Sequence, residues 1–166
     1  LEVPRIKDAL TRTVFTRDVE DARGLWLVEY QETVMAGYRI VHLTETGSRQ
    51  ILFERMPEWW KTRTKRHEAL SFVHDVRQID AQYLAVLIAT PKSDWQTVPY
   101  DSATGVGYWN RLDTVVEIVD LRSRRVAGFA RVVGSPISLA SVNTVATYAE
   151  DPAGYPVLSI WTFRKP

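Results

Sequence analysis

The chain repeats itself imperfectly about three times, and this limits what it can fold into more than any other feature. Phe15-Thr-Arg-Asp18-Val19 followed by Trp26-Leu27 recurs as Phe72-Val-His-Asp75-Val76 followed by Tyr83-Leu84, with the same internal spacing. Ala36-Gly37-Tyr38, leading into an apolar alternation, recurs as Ala153-Gly154-Tyr155, leading into another. Self-similarity over tens of residues is the mark of a modular fold in which each unit leans on its neighbours. It speaks to architecture and carries little chemistry.

The alternation has period two nearly everywhere, and Val, Ile and aromatic residues fill it, so the units read as short antiparallel strands. Strands are expected near Val14–Asp18, Leu25–Gln31, Tyr38–Thr44, Gln50–Arg55, Leu70–Val76 and Tyr83–Ala89. Further strands are expected near Thr114–Asp120, Arg125–Val133, Ile137–Ser141, Thr144–Tyr148 and Val157–Phe163. Turns fall at Glu45-Thr-Gly47, Arg122-Ser-Arg124 and Glu150-Asp-Pro-Ala-Gly154. One helical turn at most is expected, within Pro57–His67.

Laying the units on each other gives an offset of 57 between Phe15 and Phe72, and of 76 between Tyr38 and Thr114. The second unit therefore carries roughly 19 extra residues, Pro91 to Arg111, between its second and third strands. An insertion confined to one unit of a regular scaffold is a loop, and loops are where function concentrates. The whole chain, 1–166, reads as one all-β domain with units at about 14–56, 70–133 and 136–164.

Composition narrows the partners. With 21 Lys and Arg against 20 Asp and Glu, the chain lacks the basic excess of a nucleic-acid binder, and no nucleic acid is expected. No apolar run approaches the ~18–20 residues needed to cross a bilayer as a helix. Cysteine is absent, which removes disulfides, thiolate catalysis and zinc–sulfur sites and leaves the compartment open. The chain starts at Leu1, as after removal of a signal peptide or at a boundary within a longer protein.

An antiparallel unit of about 40 residues, repeated, is the pattern of a propeller blade. The succession of strand, Asp-containing turn, aromatic-rich strand and alternating strand resembles blades of six-bladed, NHL-like bacterial β-propellers. Asp113-Thr-Val-Val-Glu-Ile-Val-Asp120, Arg125-Val-Ala-Gly-Phe129 and Glu150-Asp-Pro-Ala-Gly-Tyr-Pro-Val-Leu-Ser-Ile-Trp161 resemble the last blades of such proteins. Pro57-Glu-Trp59-Trp60 has the look of a segment between their blades. The resemblance covers roughly Phe15 to Arg164 and implies an exported, periplasmic or extracellular protein. Propellers close with about 4–8 blades, whereas three are present here, the last without a clear fourth strand. Glu2–Lys7 could supply that strand, as terminal strands do in ring-closing relatives.

Three blades leave open sheet edges, which invite pairing with another chain. The chain is then a fragment, half of a two-chain ring, a shrunken relative docked on a partner, or a different fold. The competing fold is a lipocalin-like barrel of about ten strands, which also removes edges.

Two clusters stand out as sites. Trp59-Trp60 with Lys61, Arg63, Lys65 and Arg66 suits a membrane-surface anchor, with indoles at headgroup depth and cations on anions. The reading preferred is an inter-blade connector whose rings cover a core edge while the charges stay solvated. Trp95, Tyr100, Tyr108 and Trp109 give the insertion the composition of a protein-recognition loop, or of a loop folded over its own sheet.

The remaining motifs carry less. Gly105-Val-Gly107 lacks the strand–helix context of a phosphate loop. His42, His67 and His74 are scattered, and the acidic turn of Asp18, Glu20 and Asp21 lacks a full cation ligand series. Asp18 and Asp75 suit turn stabilisation instead. Ser135, Ser138 and Ser141 lack a nucleophile elbow.

No catalytic set, metal site or cofactor is expected. The function expected is that of a non-catalytic protein-binding or scaffold subunit. It would self-associate or dock on a larger complex, one at a membrane or its surface included. The alternative is a small-molecule carrier with an aromatic-lined barrel.

Overall fold

The computed structural model describes residues 11–18, 24–31, 37–62, 69–101, 103 and 107–164. Among the described residues eleven strands form, in three antiparallel sheets, each drawn from one contiguous stretch of chain. Sheet 1 is β1 (Thr11–Arg17), β2 (Leu25–Gln31), β3 (Tyr38–Leu43) and β4 (Arg49–Arg55), in that spatial order. Sheet 2 is β5 (Phe72–Gln78), β6 (Tyr83–Pro91), β7 (Leu112–Asp120) and β8 (Arg125–Val132), again in chain order. Sheet 3 has three strands, β9 (Ser135–Ser141), β10 (Thr144–Glu150) and β11 (Pro156–Thr162). Every segment read as a strand forms one, with ends displaced by at most three residues. The architecture is all-β and blade-like.

Simple up-and-down order follows from the turns. Hairpin connections join neighbouring antiparallel strands, so consecutive β segments pair in sequence. β1 meets β2 in an unbroken register from Thr11↔Gln31 to Arg17↔Leu25. The backbone N–H of Asp18 then closes the turn on Gly24 C=O at 3.0 Å. No strand of one sheet enters the ladder of another among the described residues, so the continuous lipocalin-like barrel does not form. The helical turn falls at Trp109–Arg111, inside the insertion, whereas Pro57–Trp60 closes a tight turn through Trp60 N–H on Pro57 C=O at 3.0 Å. Glu2–Lys7 lies outside the described residues.

The three sheets lie in sequence, with sheet 2 between the others. β1 runs beside β5, and β5 beside β9, so the first strand of each sheet lines one side of the molecule. Alternating residues on β6 serve two different interfaces. Leu84, Val86 and Ile88 join Trp26, Val28, Tyr30, Tyr38 and Ile40 of sheet 1 in the larger core. Ala85 and Leu87 face the other way, onto Leu139 and Val145 of sheet 3. A strand covered on both faces reads as a near-continuous apolar run, and Leu84-Ala-Val-Leu-Ile-Ala89 is one. Each of its large aliphatic side chains contributes about 1.5–3 kcal/mol on burial.

A charged cluster is set inside the larger junction. Glu117 on β7 is fully buried, accepts the Tyr38 hydroxyl at 2.5 Å and receives Arg55 Nη2 at 3.1 Å. Burial, then the Glu117 charge and its hydrogen bond, holds the Tyr38 phenol well above its usual range. Buried ion pairs persist when geometry and hydrogen bonds satisfy both partners, and here they tie sheet 1 to sheet 2.

Candidate protein-interaction site

The insertion leaves β6 at Pro91 and returns at β7, and Lys92 N–H donates to Arg111 C=O at 2.9 Å to close its neck. Arg111 organises what lies above. Its side chain is buried, with the guanidinium 4.5 Å from the Trp95 ring centre and 4.8 Å from that of Tyr100. Its Nε also donates to the Trp95 carbonyl at 2.8 Å. A guanidinium over two aromatic rings gains cation–π attraction from each. Trp95 and Tyr108, with Phe72, pack on Ala69, Ala89 and Leu112 beneath the loop. The loop therefore folds over its own sheet.

One ring escapes that packing. Trp109 is 46% exposed and touches Phe72, His74 and Tyr108 edge-on, at 6.2, 6.4 and 5.7 Å between centroids. The short 3-10 turn is held against sheet 3 from both sides. Ser135 Oγ donates to the Trp109 carbonyl. Asn110 Nδ2 donates to Glu150 Oε2 at 2.6 Å, and Tyr148 donates to Glu150 Oε1 at 2.8 Å. That hydrogen bond raises the Tyr148 phenol above its ordinary value. A cleft of about 430 Å³ lies beside Trp109, lined by His74, Ser135, Pro136, Ile137 and Tyr148.

The junction between sheets 2 and 3 is stitched by side chains on backbone. His74, displaced by a bulge in β5, lies 2.8 Å from Ile137 C=O through Nε2. Asp75 accepts Val76 N–H at 2.8 Å on one oxygen and Leu139 N–H at 3.0 Å on the other. The expected turn-stabilising role of Asp75 is thus replaced by an inter-sheet one. Asp18, its counterpart in sheet 1, lies 2.9 Å from His42 Nε2, and His42 stacks on Trp26 at 4.3 Å.

The residues expected to bind a partner are not brought together. Trp60 is 5% exposed and lies in the core near Tyr30 and Tyr38, because the Pro57–Trp60 turn folds its ring into the junction of sheets 1 and 2. As a partner-binding residue it is corrected: it is a core residue. Trp59 is half-buried, between Trp60 and Phe129 at 6.1 and 6.0 Å. Trp95, Tyr100 and Tyr108 are half-buried within the loop, leaving Trp109 as its outward ring. Lys61 is exposed at the side chain, and its backbone exchanges bonds with Ser71. Arg63, Lys65, Arg66, His67, Glu20 and Asp21 lie outside the described residues.

A run of exposed apolar side chains lies elsewhere, on β11 and the turn before it. Tyr155, Val157, Leu158, Ile160 and Trp161 are all exposed, Leu158 at 69% and Ile160 at 65%. The alternating strand was legible, but nothing in its letters said that this strand stays uncovered. Arg111 and Glu150 were likewise missed, since each acts on residues distant in the chain.

Among the described residues no group of three or more His, Asp or Glu is placed to hold a metal ion. No described helix is long and apolar enough to cross a membrane. No protein-family model, curated protein or solved structure matches this chain.

Proposed function

We propose that the chain is a non-catalytic binding or scaffold subunit, built of propeller-like blades, that associates through protein surface with a larger assembly or with itself. The observation that carries this reading is the row of exposed apolar side chains from Tyr155 to Trp161. Apolar side chains left exposed on both faces of an edge strand gain free energy when another surface covers them, which is how interaction sites form. The fastened loop with its outward Trp109 supplies a separate aromatic anchor, of the type that dominates protein interfaces. The resemblance of its blades to those of NHL-like propellers supports reading it as an exported subunit.

Size-exclusion chromatography with light scattering over a concentration series tests self-association. Tagged chain passed over soluble and detergent-extracted fractions of the source cells tests docking. A well-folded monomer that retains no partner in either experiment overturns the reading.

A further inference from the structure

Sheet edges differ in how they are guarded, and the differences single out one of them. Exposed edges template pairing with other chains, and proteins protect them with charge, bulges or cover. The outer strand of sheet 1, β4, carries Arg49, Glu54 and Arg55, and that of sheet 2, β8, carries Arg125 and Arg131. On the inner side, β5 carries His74, Asp75 and Arg77, and its His74 and Asp75 cap the uncharged β9. β11, Pro156-Val-Leu-Ser-Ile-Trp-Thr162, has no charge and no bulge, and among the described residues no strand lies beyond it. Among the described residues sheet 3 also has three strands where its neighbours have four.

The hydrogen-bonding direction along β11 follows from its pairing with β10. Asp151 N–H donates to Tyr155 C=O, and Phe163 N–H donates to Asn143 C=O, with unbroken register between. Odd-numbered residues therefore face β10, while Leu158, Ile160 and Thr162 turn N–H and C=O outward. Trp161 pairs with Val145 and bonds Thr147 through its indole, so Val157, Ser159 and Trp161 sit on the face toward sheet 2. Leu158 and Ile160 sit on the other.

We propose that β11 pairs antiparallel with β11 of a second copy about a two-fold axis at Ser159, a docking edge that rests on the protein-binding reading above. Only even residues present outward groups, so only even can bond even. With the axis at Ser159, each Leu158 lies opposite Ile160 of the second copy and exchanges both bonds of a hydrogen-bonded pair. Val157 lies opposite Trp161 on the other face, and Pro156, which lacks an N–H, falls at the end opposite Thr162. Moving the axis to Leu158 or Ile160 sets Ser159 against Val157 or Trp161 and wastes that match. The strand is thus complementary to itself, with every large apolar side chain meeting another across the seam. Among the described residues each copy has one such edge, so the assembly closes at two as a continuous six-stranded sheet, three strands from each copy.

The full chain gives the test. Light scattering is expected to show a dimer, with Leu158, Ile160 and Thr162 amides protected from hydrogen exchange. Ile160→Lys, at an exposed position, is expected to weaken dimerisation at least about tenfold by setting a charge into an apolar seam. Ser159→Cys supplies the chain's only thiol on the axis, where facing Cα atoms come within about 4.5 Å. Oxidation is expected to link it into a covalent dimer, whereas Val142→Cys, on an exposed turn, stays monomeric on gels. This second variant keeps the test decisive if the lysine variant misfolds. A dimer that survives Ile160→Lys while Ser159→Cys fails to cross-link overturns the edge and leaves the protein-binding reading standing. A monomer with the three amides protected means that the chain's own strand fills the edge, and a monomer with them open means nothing does. Either overturns the proposal.

Discussion

Glu117 is the residue at which two sheets share a charge. Its carboxylate has no solvent exposure and takes both the Tyr38 hydroxyl and the Arg55 guanidinium. Glu117→Ala is expected to cost about 3 kcal/mol in urea unfolding, because it strands a buried phenol and a half-buried cation. Tyr38 adds a pH dependence whose sign is definite. The folded state holds the phenolic proton above its ordinary value of 10.0, so the unfolded chain ionises first and gains as pH rises. The contribution of this group is expected to be fully present and independent of pH below pH 10.0, and stability to fall above it. Tyr38→Phe, less stable to begin with, should lose less over the same alkaline interval. The repeated Ala-Gly-Tyr motif carries a second lesson at this scale. A Cβ on Gly37 would lie 1.8 Å from the Arg55 carbonyl oxygen, whereas one on Gly154 would meet nothing within 4 Å. Gly154, with φ of +84°, answers only to turn geometry. Gly154→Ala should cost about 1–2 kcal/mol in thermal or urea unfolding, the penalty of a left-handed conformation. Gly37→Ala should cost clearly more.

Among the elements, the insertion shows most clearly what could be read in advance. Its position, its confinement to sheet 2 and its aromatic content were legible, because a displaced repeat offset is a property of the letters themselves. Its internal order was not, since Arg111 finds Trp95 and Tyr100 only after the neck has closed. The strands were legible because period-two alternation is local. Trp60 was legible as a ring covering a core edge but not as a fully enclosed core residue, because only the path of the Pro57–Trp60 turn decides how deep it lies. Glu117 and Arg55 stand 62 residues apart, beyond the reach of any local pattern. Arg111→Ala is expected to loosen the loop, with faster proteolytic cleavage between Pro91 and Asn110 and a stability loss of about 1–2 kcal/mol. Arg111→Lys should recover only part of this, since a compact ammonium does not spread over both rings as a guanidinium does.

For the whole molecule, the order of burial predicts the order of opening. Sheet 2 is covered on both faces, and β6 and β7 hold most of the fully buried aliphatic side chains. Local opening is easiest where buried contacts are few and backbone bonds meet water. Native-state hydrogen exchange is therefore expected to be slowest in β6 and β7 and faster in β4. β11 should exchange fast on its outward amides in any form that lacks a neighbouring strand, and a uniform pattern would contradict this layering. The number of sheets was legible from the repeat, and their stacking order followed from the chain order. Which face stays bare was not, because letters that suit a buried strand suit an uncovered one as well.

His74 and Asp75 give the molecule an unusual kind of joint. They grip the carbonyl of Ile137 and the amide of Leu139, groups that every residue except proline owns alike. The fit between neighbouring modules at this seam is consequently indifferent to which amino acids the receiving strand displays. A unit received at this seam could drift far in its lettering and still seat correctly, a freedom that the junction built on Glu117 does not share.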